Sequence, residues 1–274
     1  MSLGAARETG KPRAARRYGA VNWRGLWVLY SRKAVLRFLR YGLESIAGPV
    51  ASSCIFVLVF VLALDGGRAM SPDLTLAQFV VPGIVMFTLA QVAFDSAAVM
   101  IIHDKQDGVI QDVLMAPLTP LEIVVGYSLG AATNGLLTGG ILLLIFAIFI
   151  DLPFVNPLMA IAFALGGTVL FAMVGMIVGI WSERWDHFSA AETFLVMPLG
   201  LLSGTFFSLE RVPAGFEWLL LGNPMFHAIN GLRAALTGHS DASLWLGAGM
   251  IAGLSLLLAA ITWRLFALGY RIKS

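Results

Sequence analysis

The sequence predicts an all-α integral membrane protein with six transmembrane helices, and three observations carry that expectation. Of the 274 residues, 58% are hydrophobic and 12% charged, against about a quarter charged in a soluble domain. The apolar residues gather into six blocks, and about 20 residues of α-helix cross a hydrocarbon core. The charges avoid those blocks: ten of the 18 Lys and Arg residues precede the first one.

Residues 1–20, with the run GAARETGKPRAARR, hold too little apolar surface to offset the entropy of ordering, and read as a flexible basic cytoplasmic tail. Residues 21–45 read as an amphipathic helix on the membrane surface. Trp23, Leu26, Trp27, Tyr30, Ala34 and Phe38 recur at helical spacing, with Arg32, Lys33, Arg37 and Arg40 between them. Aromatic rings suit the headgroup boundary, and the cations suit an anionic leaflet. The first apolar block opens only near Ile46, too far along for the core of a cleavable signal, so a retained N-terminus is expected.

The membrane domain is expected over residues 46–274. Its blocks are Ile46 to Leu64, Phe79 to Ile102, Ile123 to Ile150, Pro157 to Trp181, Phe194 to Phe207, and Leu244 to Leu268. The fifth is short, and needs flanking residues or a chain that dips back into the membrane around Phe206 and Leu219. With the N-terminus inside, fifteen basic residues fall on the inner side, leaving Arg68, Arg211 and Arg233 outside. The positive-inside rule therefore predicts two cytoplasmic termini in a multi-pass plasma-membrane protein, the inner membrane of a bacterium.

Glycines four apart (Gly126 and Gly130, Gly135 and Gly139, Gly175 and Gly179, Gly200 and Gly204) let helix backbones approach where lipid offers no hydrophobic drive. They predict a tight bundle and are candidates for a dimer seam. Cys54 is the single cysteine, so an intramolecular disulfide and a Cys-based metal site are both excluded. An intramembrane enzyme would need convergent polar groups, yet HExxH and paired intramembrane aspartates are missing, and His103, His187, His227 and His239 are scattered. The stretch Gly4 to Lys11 approximates a phosphate loop, but its glycines are separated by five residues instead of four and Pro12 replaces the Ser or Thr, so no nucleotide is expected there.

Two connections stand out. Between the second and third blocks, Asp104, Lys105, Asp107 and Asp112 alternate with Val109, Ile110, Val113 and Leu114, and Pro117 and Pro120 follow. That pattern predicts a short amphipathic cytoplasmic helix, a suitable part for receiving force from another protein. After the fifth block, Phe206 to Arg233 is too apolar for a solvated loop and predicts short helices in the outer interface.

The runs DGVIQDVLMAPLTPLEIVVGY and PLGLLSGTFFSLERVPAGFEWLLLGNPMFHAINGLR resemble the type-2 export permeases of ATP-binding-cassette transporters, in the branch of nodulation-factor, drug and envelope exporters. The likeness extends from Asn22 over nearly the whole chain. It implies that Asn22 to Tyr41, with Arg32, Lys33 and Arg37, is a connecting helix. It also implies that Asp104 to Ala116 is a coupling helix seated in an ATPase cleft, with Asp104, Asp107, Gly108, Asp112, Leu114 and Pro117 as contact residues. Leu209 to Leu236 would be extracellular re-entrant helices. The family usually has a Glu before that Gly, where this chain has Asp104 and Asp107.

The resemblance further implies a non-enzymatic permease that binds no cofactor, with ATP and Mg carried by two copies of a separate ATPase subunit. The other expected partners are a second permease in a homodimer and membrane lipid, with no nucleic acid. Asp95 is the one acid deep in a block, with Gln91 a turn earlier on the same face; both are candidates for a substrate path, and Phe206 and Phe207 for an outer gate. Asn134 and Glu192 are weaker cases of the same kind. Few charges among many Phe, Leu and Met side chains suit a lipid-like, lipid-linked or amphipathic cargo moved outward. An ion-coupled secondary transporter is the alternative, with Asp95 its one support.

Overall fold

The computed structural model describes residues 21–32, 37–64, 69–71, 74–213 and 215–271, with side chains described over 21–32, 46–60 and from 74 onward. The expected tail 1–20, Lys33 and Arg68 lie outside the described residues, and Arg37 is described in its backbone alone. The chain is an all-α membrane protein. The helices in order are α1 (Trp23–Tyr30), α2 (Arg37–Leu64), α3 (Leu76–Gln106), α4 (Val109–Met115), α5 (Pro120–Phe149), α6 (Pro157–Trp181), α7 (Trp185–Ala191), α8 (Met197–Leu201), α9 (Glu217–Leu221), α10 (Pro224–Thr237) and α11 (Leu244–Leu268). Ala69–Ser71 and Leu74–Thr75 add a two-stranded antiparallel ladder between α2 and α3.

Among the described residues, four helices, α3, α5, α6 and α11, are each long and apolar enough to cross a membrane. The first pass is α2, whose apolar stretch Ile46–Phe60 follows directly from residues assigned to the surface helix: α2 begins at Arg37, so Arg37 to Tyr41 join the membrane helix instead of α1. The fifth pass also differs from its expected bounds. It begins at Trp185, runs through α7, a π-helical turn at Glu192–Val196 and α8, and ends at Leu201. The polar run Trp185 to Glu192 hid its first half from a hydropathy reading, and Phe206 and Phe207 fall in the loop beyond it.

Helix starts follow local chemistry. Thr75 and Gln78 form a capping box on α3, Thr119 and Glu122 form another on α5 with Pro120 at its first position, and Asn156 caps α6 ahead of Pro157. Each satisfies backbone N–H groups that lipid could not.

At the centre stands α3, buried along most of its length against α5, α6 and α10. Its face of Ala90, Ala93, Ala97 and Ala98 is fully buried. A Cβ at Gly175 of α6 would overlap the Phe94 backbone, and one at Gly179 would lie 2.8 Å from the Ala98 carbonyl oxygen. Gly135 and Gly139 of α5 meet Leu89 in the same way. These glycine pairs therefore seal the helices of one chain to each other and are not spare for a dimer seam. Gly204 belongs to no helix; it has φ +66° in the loop after α8.

In the connection after the fifth pass, Phe216 and Trp218 and Leu221 of α9 are exposed, as short surface helices would have them, but α10 is not a surface helix. Every residue of α10 from Met225 to Leu236 is buried, packed among α3, α6 and α11. Small residues make that insertion possible, since a Cβ at Gly231 would run into the Phe163 ring. This agrees with the re-entrant arrangement implied by the family resemblance.

Candidate functional site

At one end of the bundle the chain forms an elbow. α3 runs straight to Gln106, Gly108 turns the backbone at φ +72°, and α4 leaves at once. A left-handed residue is required there, and Gly adopts that conformation without the Cβ penalty. Ile110 and Val113 are buried in a cluster with Leu29, Ile123 and Tyr127, and Leu114 packs at its edge. Asp107, Gly108, Val109, Asp112 and Met115 are exposed, so the free face of the elbow and α4 mixes two carboxylates with apolar tips. Val109 thus points away from the buried face on which it was expected.

Asp104 is a correction. It belongs to α3, not to the short helix, is only 6% exposed, and accepts a hydrogen bond from the Tyr127 hydroxyl of α5. A partner could not reach it; it ties α3 to α5. Its neighbour Lys105 donates to the carbonyl oxygens of Ile180 and Ser182 at 2.9 and 2.6 Å, where the end of α6 leaves carbonyls unpaired.

The residues that fix the elbow to the rest of the chain were not singled out in the sequence. Glu122 accepts the Asn22 backbone N–H at 2.5 Å and the Thr119 N–H and hydroxyl at 2.7 and 3.0 Å. Asn22 also donates from Nδ2 to the Pro117 carbonyl at 3.1 Å. One buried carboxylate therefore joins the starts of α1 and α5 behind α4. The signal was legible as the Thr-Pro-Leu-Glu capping box just after the amphipathic helix. α1 itself lies on α5, with Leu29 against Gly126, while Trp23, Trp27 and Arg32 are exposed.

Within the membrane region, α2, α3, α8 and the loop after α8 line an open cavity of about 490 Å³. Ile84, Phe87, Thr88, Gln91 and Asp95 present one face of α3 to it, so Gln91, Asp95 and Phe206 line one cavity. Gln91 donates to Glu192 Oε1 at 3.0 Å, and Glu192 opens the π-helical turn of the fifth pass. Such turns re-aim side chains and recur at functional sites. Phe206 closes the far end, its ring 5.4 and 5.3 Å from those of Phe56 and Phe60. Phe207 does not line the cavity. Asn134 lies apart, donating to Ser96 at 3.4 Å.

The opposite end of the bundle is pinned by Arg233, expected in an outer loop but fully buried. It donates to the carbonyl oxygens of Phe79 at 3.1 Å and Gly204 at 2.7 Å, pairs with Asp241 at 3.2 Å, and lies 3.7 Å from the Phe79 ring centre. Asp241 in turn accepts from Ser208 at 2.8 Å.

A family profile described as "ABC-2 type transporter" matches residues 23–237. Over 244 residues the chain is 28% identical to "Inner membrane transport permease YadH" of Escherichia coli (strain K12), a match covering 88% of this chain and 94% of the relative. Similarity to "Nodulation protein J" of Rhizobium leguminosarum bv. viciae is 25% identity over 240 residues, covering 85% and 89%. With the protein of that name from Sinorhizobium fredii (strain NBRC 101917 / NGR234) it is 26% over 236 residues, covering 81% and 86%.

Proposed function

Because the chain belongs to the ABC-2 type transporter family, we propose that it is the membrane permease of an ATP-binding-cassette exporter, driven by a separate ATPase that carries the ATP and Mg. Two permeases, as a homodimer, work with two ATPase subunits, and an amphipathic or lipid-linked cargo moves outward. Both termini and α4 face the cytoplasm.

The observation that carries this reading is the construction of α4. With Asp107 of the elbow, it offers an exposed face of Val109, Asp112 and Met115 to a partner, and the elbow is tied into the bundle at three places. Gly108 joins it to α3, the Lys105 contacts join that end of α3 to α6, and the Glu122 carboxylate joins α1 and α5. Movement of an ATPase seated on α4 then displaces four helices together, which is what converts a local push into a change of the whole bundle. Exposed Trp23 and Trp27 would hold α1 at the headgroup level while that occurs.

Purification of the tagged chain from its native membrane, with identification of what accompanies it, tests the reading. An ATPase recovered in equal amount is the expected result. The chain alone, stable and monodisperse, would overturn it and favour an ion-coupled carrier.

A further inference from the structure

We infer that the cavity between α2, α3 and α8 binds a cationic amphiphile, with its positive head on Asp95 and its apolar tail toward Phe206. This names the cargo class within the exporter reading and rests on that reading for its role in transport, although the binding itself does not.

The cavity is polarised along α3. From Ile84 to Asp95 the helix advances about 16 Å, and the lining changes character on the way. Phe56, Phe87 and Phe206 surround the end toward α10, where Thr205 meets Gly83. Gln91 and Asp95 form the other end, and Asp95 is the one ionisable group that lines it, with no Lys or Arg among the described lining residues.

The polar groups differ in what they still need. Ser53 and Thr88 hydroxyls bond one another at 2.8 Å, and Gln91 is engaged by Glu192. Asp95 Oδ1 is buried without a hydrogen-bond partner. A carboxylate in an apolar enclosure is costly until a cation or a donor meets it. An ammonium or guanidinium head supplies both at once, and a quaternary head supplies the charge while the nearby rings favour it. An anionic head would meet Asp95, and beyond Gln91 the Glu192 carboxylate, with like charge. The chemistry therefore selects the sign of the head and leaves the tail loosely specified, because the apolar walls offer area and no directed contact.

The test uses the full chain in nanodiscs of zwitterionic lipid and two fluorescent probes with the same dodecyl tail, one trimethylammonium and one sulfonate. The trimethylammonium probe is expected to bind more tightly. Asp95→Asn should weaken its binding by about tenfold or more while the sulfonate probe, relieved of a like charge, binds no more weakly than before. Phe206→Ala should weaken both alike, and an unaltered thermal melt for each variant shows that the bundle is intact. Equal binding of the two probes, or a trimethylammonium affinity indifferent to Asp95→Asn in a folded variant, would overturn the inference. A chain that prefers the cation yet recovers no ATPase fails the exporter reading alone; one that recovers an ATPase but shows no preference fails this inference alone.

Discussion

Glu122 accepts the backbone N–H of Asn22 across one hundred residues of chain, and with the same carboxylate closes the capping box at the start of α5. The side chain is only 7% exposed, so its hydrogen bonds are made in a setting where water cannot replace them. Glu122→Gln keeps the shape but removes the charge, and is expected to lower stability by about 1.5–3 kcal/mol. A detergent melt measures this. In reconstituted complexes the variant should also hydrolyse ATP with little export, since α1 no longer follows α5.

Asp104 and Asp107 should separate cleanly. Asp104→Asn weakens the buried link to Tyr127 and is expected to lower the melting temperature. Asp107→Asn, paired with Asp112→Asn on the exposed face of α4, should leave the melt unchanged and reduce recovery of the ATPase in a pull-down. Loss of recovery with Asp104→Asn at an unchanged melt would count against the burial argument.

Arg233 carries the largest expected penalty. Arg233→Met leaves Asp241 buried at 2% exposure without its guanidinium partner, a change that costs about 3–5 kcal/mol. Arg233→Lys should recover only part of it, because a single ammonium cannot reach Phe79, Gly204 and Asp241 with the geometry of a planar fork. Thermal melting and expression yield read both.

Two glycines offer a contrast in packing. Gly175→Ala drives a methyl group into the Phe94 backbone and is expected to destabilise by about 1–3 kcal/mol. Gly140→Ala meets nothing within 4 Å, and should raise helix stability by up to about 1 kcal/mol. Melting curves of the two variants, measured side by side, check the sign of each.

Hydropathy made the passes legible wherever a block was uniformly apolar, as in Pro157–Trp181 and Leu244–Leu268, whose bounds coincide with α6 and α11. It failed at the fifth pass because Asp186, His187 and Glu192 sit inside the helix, and polarity along a sequence does not say which face meets lipid. The same limit misplaced Arg233. The count of charges by side puts it in an outer loop, whereas its buried partners come from Phe79, Gly204 and Asp241, scattered along the chain. Asp107 and Asp112 stood out because amphipathicity is local. The Asn22 to Glu122 bond could not, because nothing in either neighbourhood points to the other.

The loop carrying Phe206 is bolted on one side and merely stacked on the other. Through Gly204 it shares Arg233 with α3 and α10, while Phe56 and Phe60 of α2 touch it by ring contact alone. Three elements thus hold the loop, while α2 leans on it by its rings, with Pro49 inside the helix. In the exporter proposed above, α2 is therefore the side expected to move, and a crosslink between the Phe56 and Phe206 positions is expected to stop export.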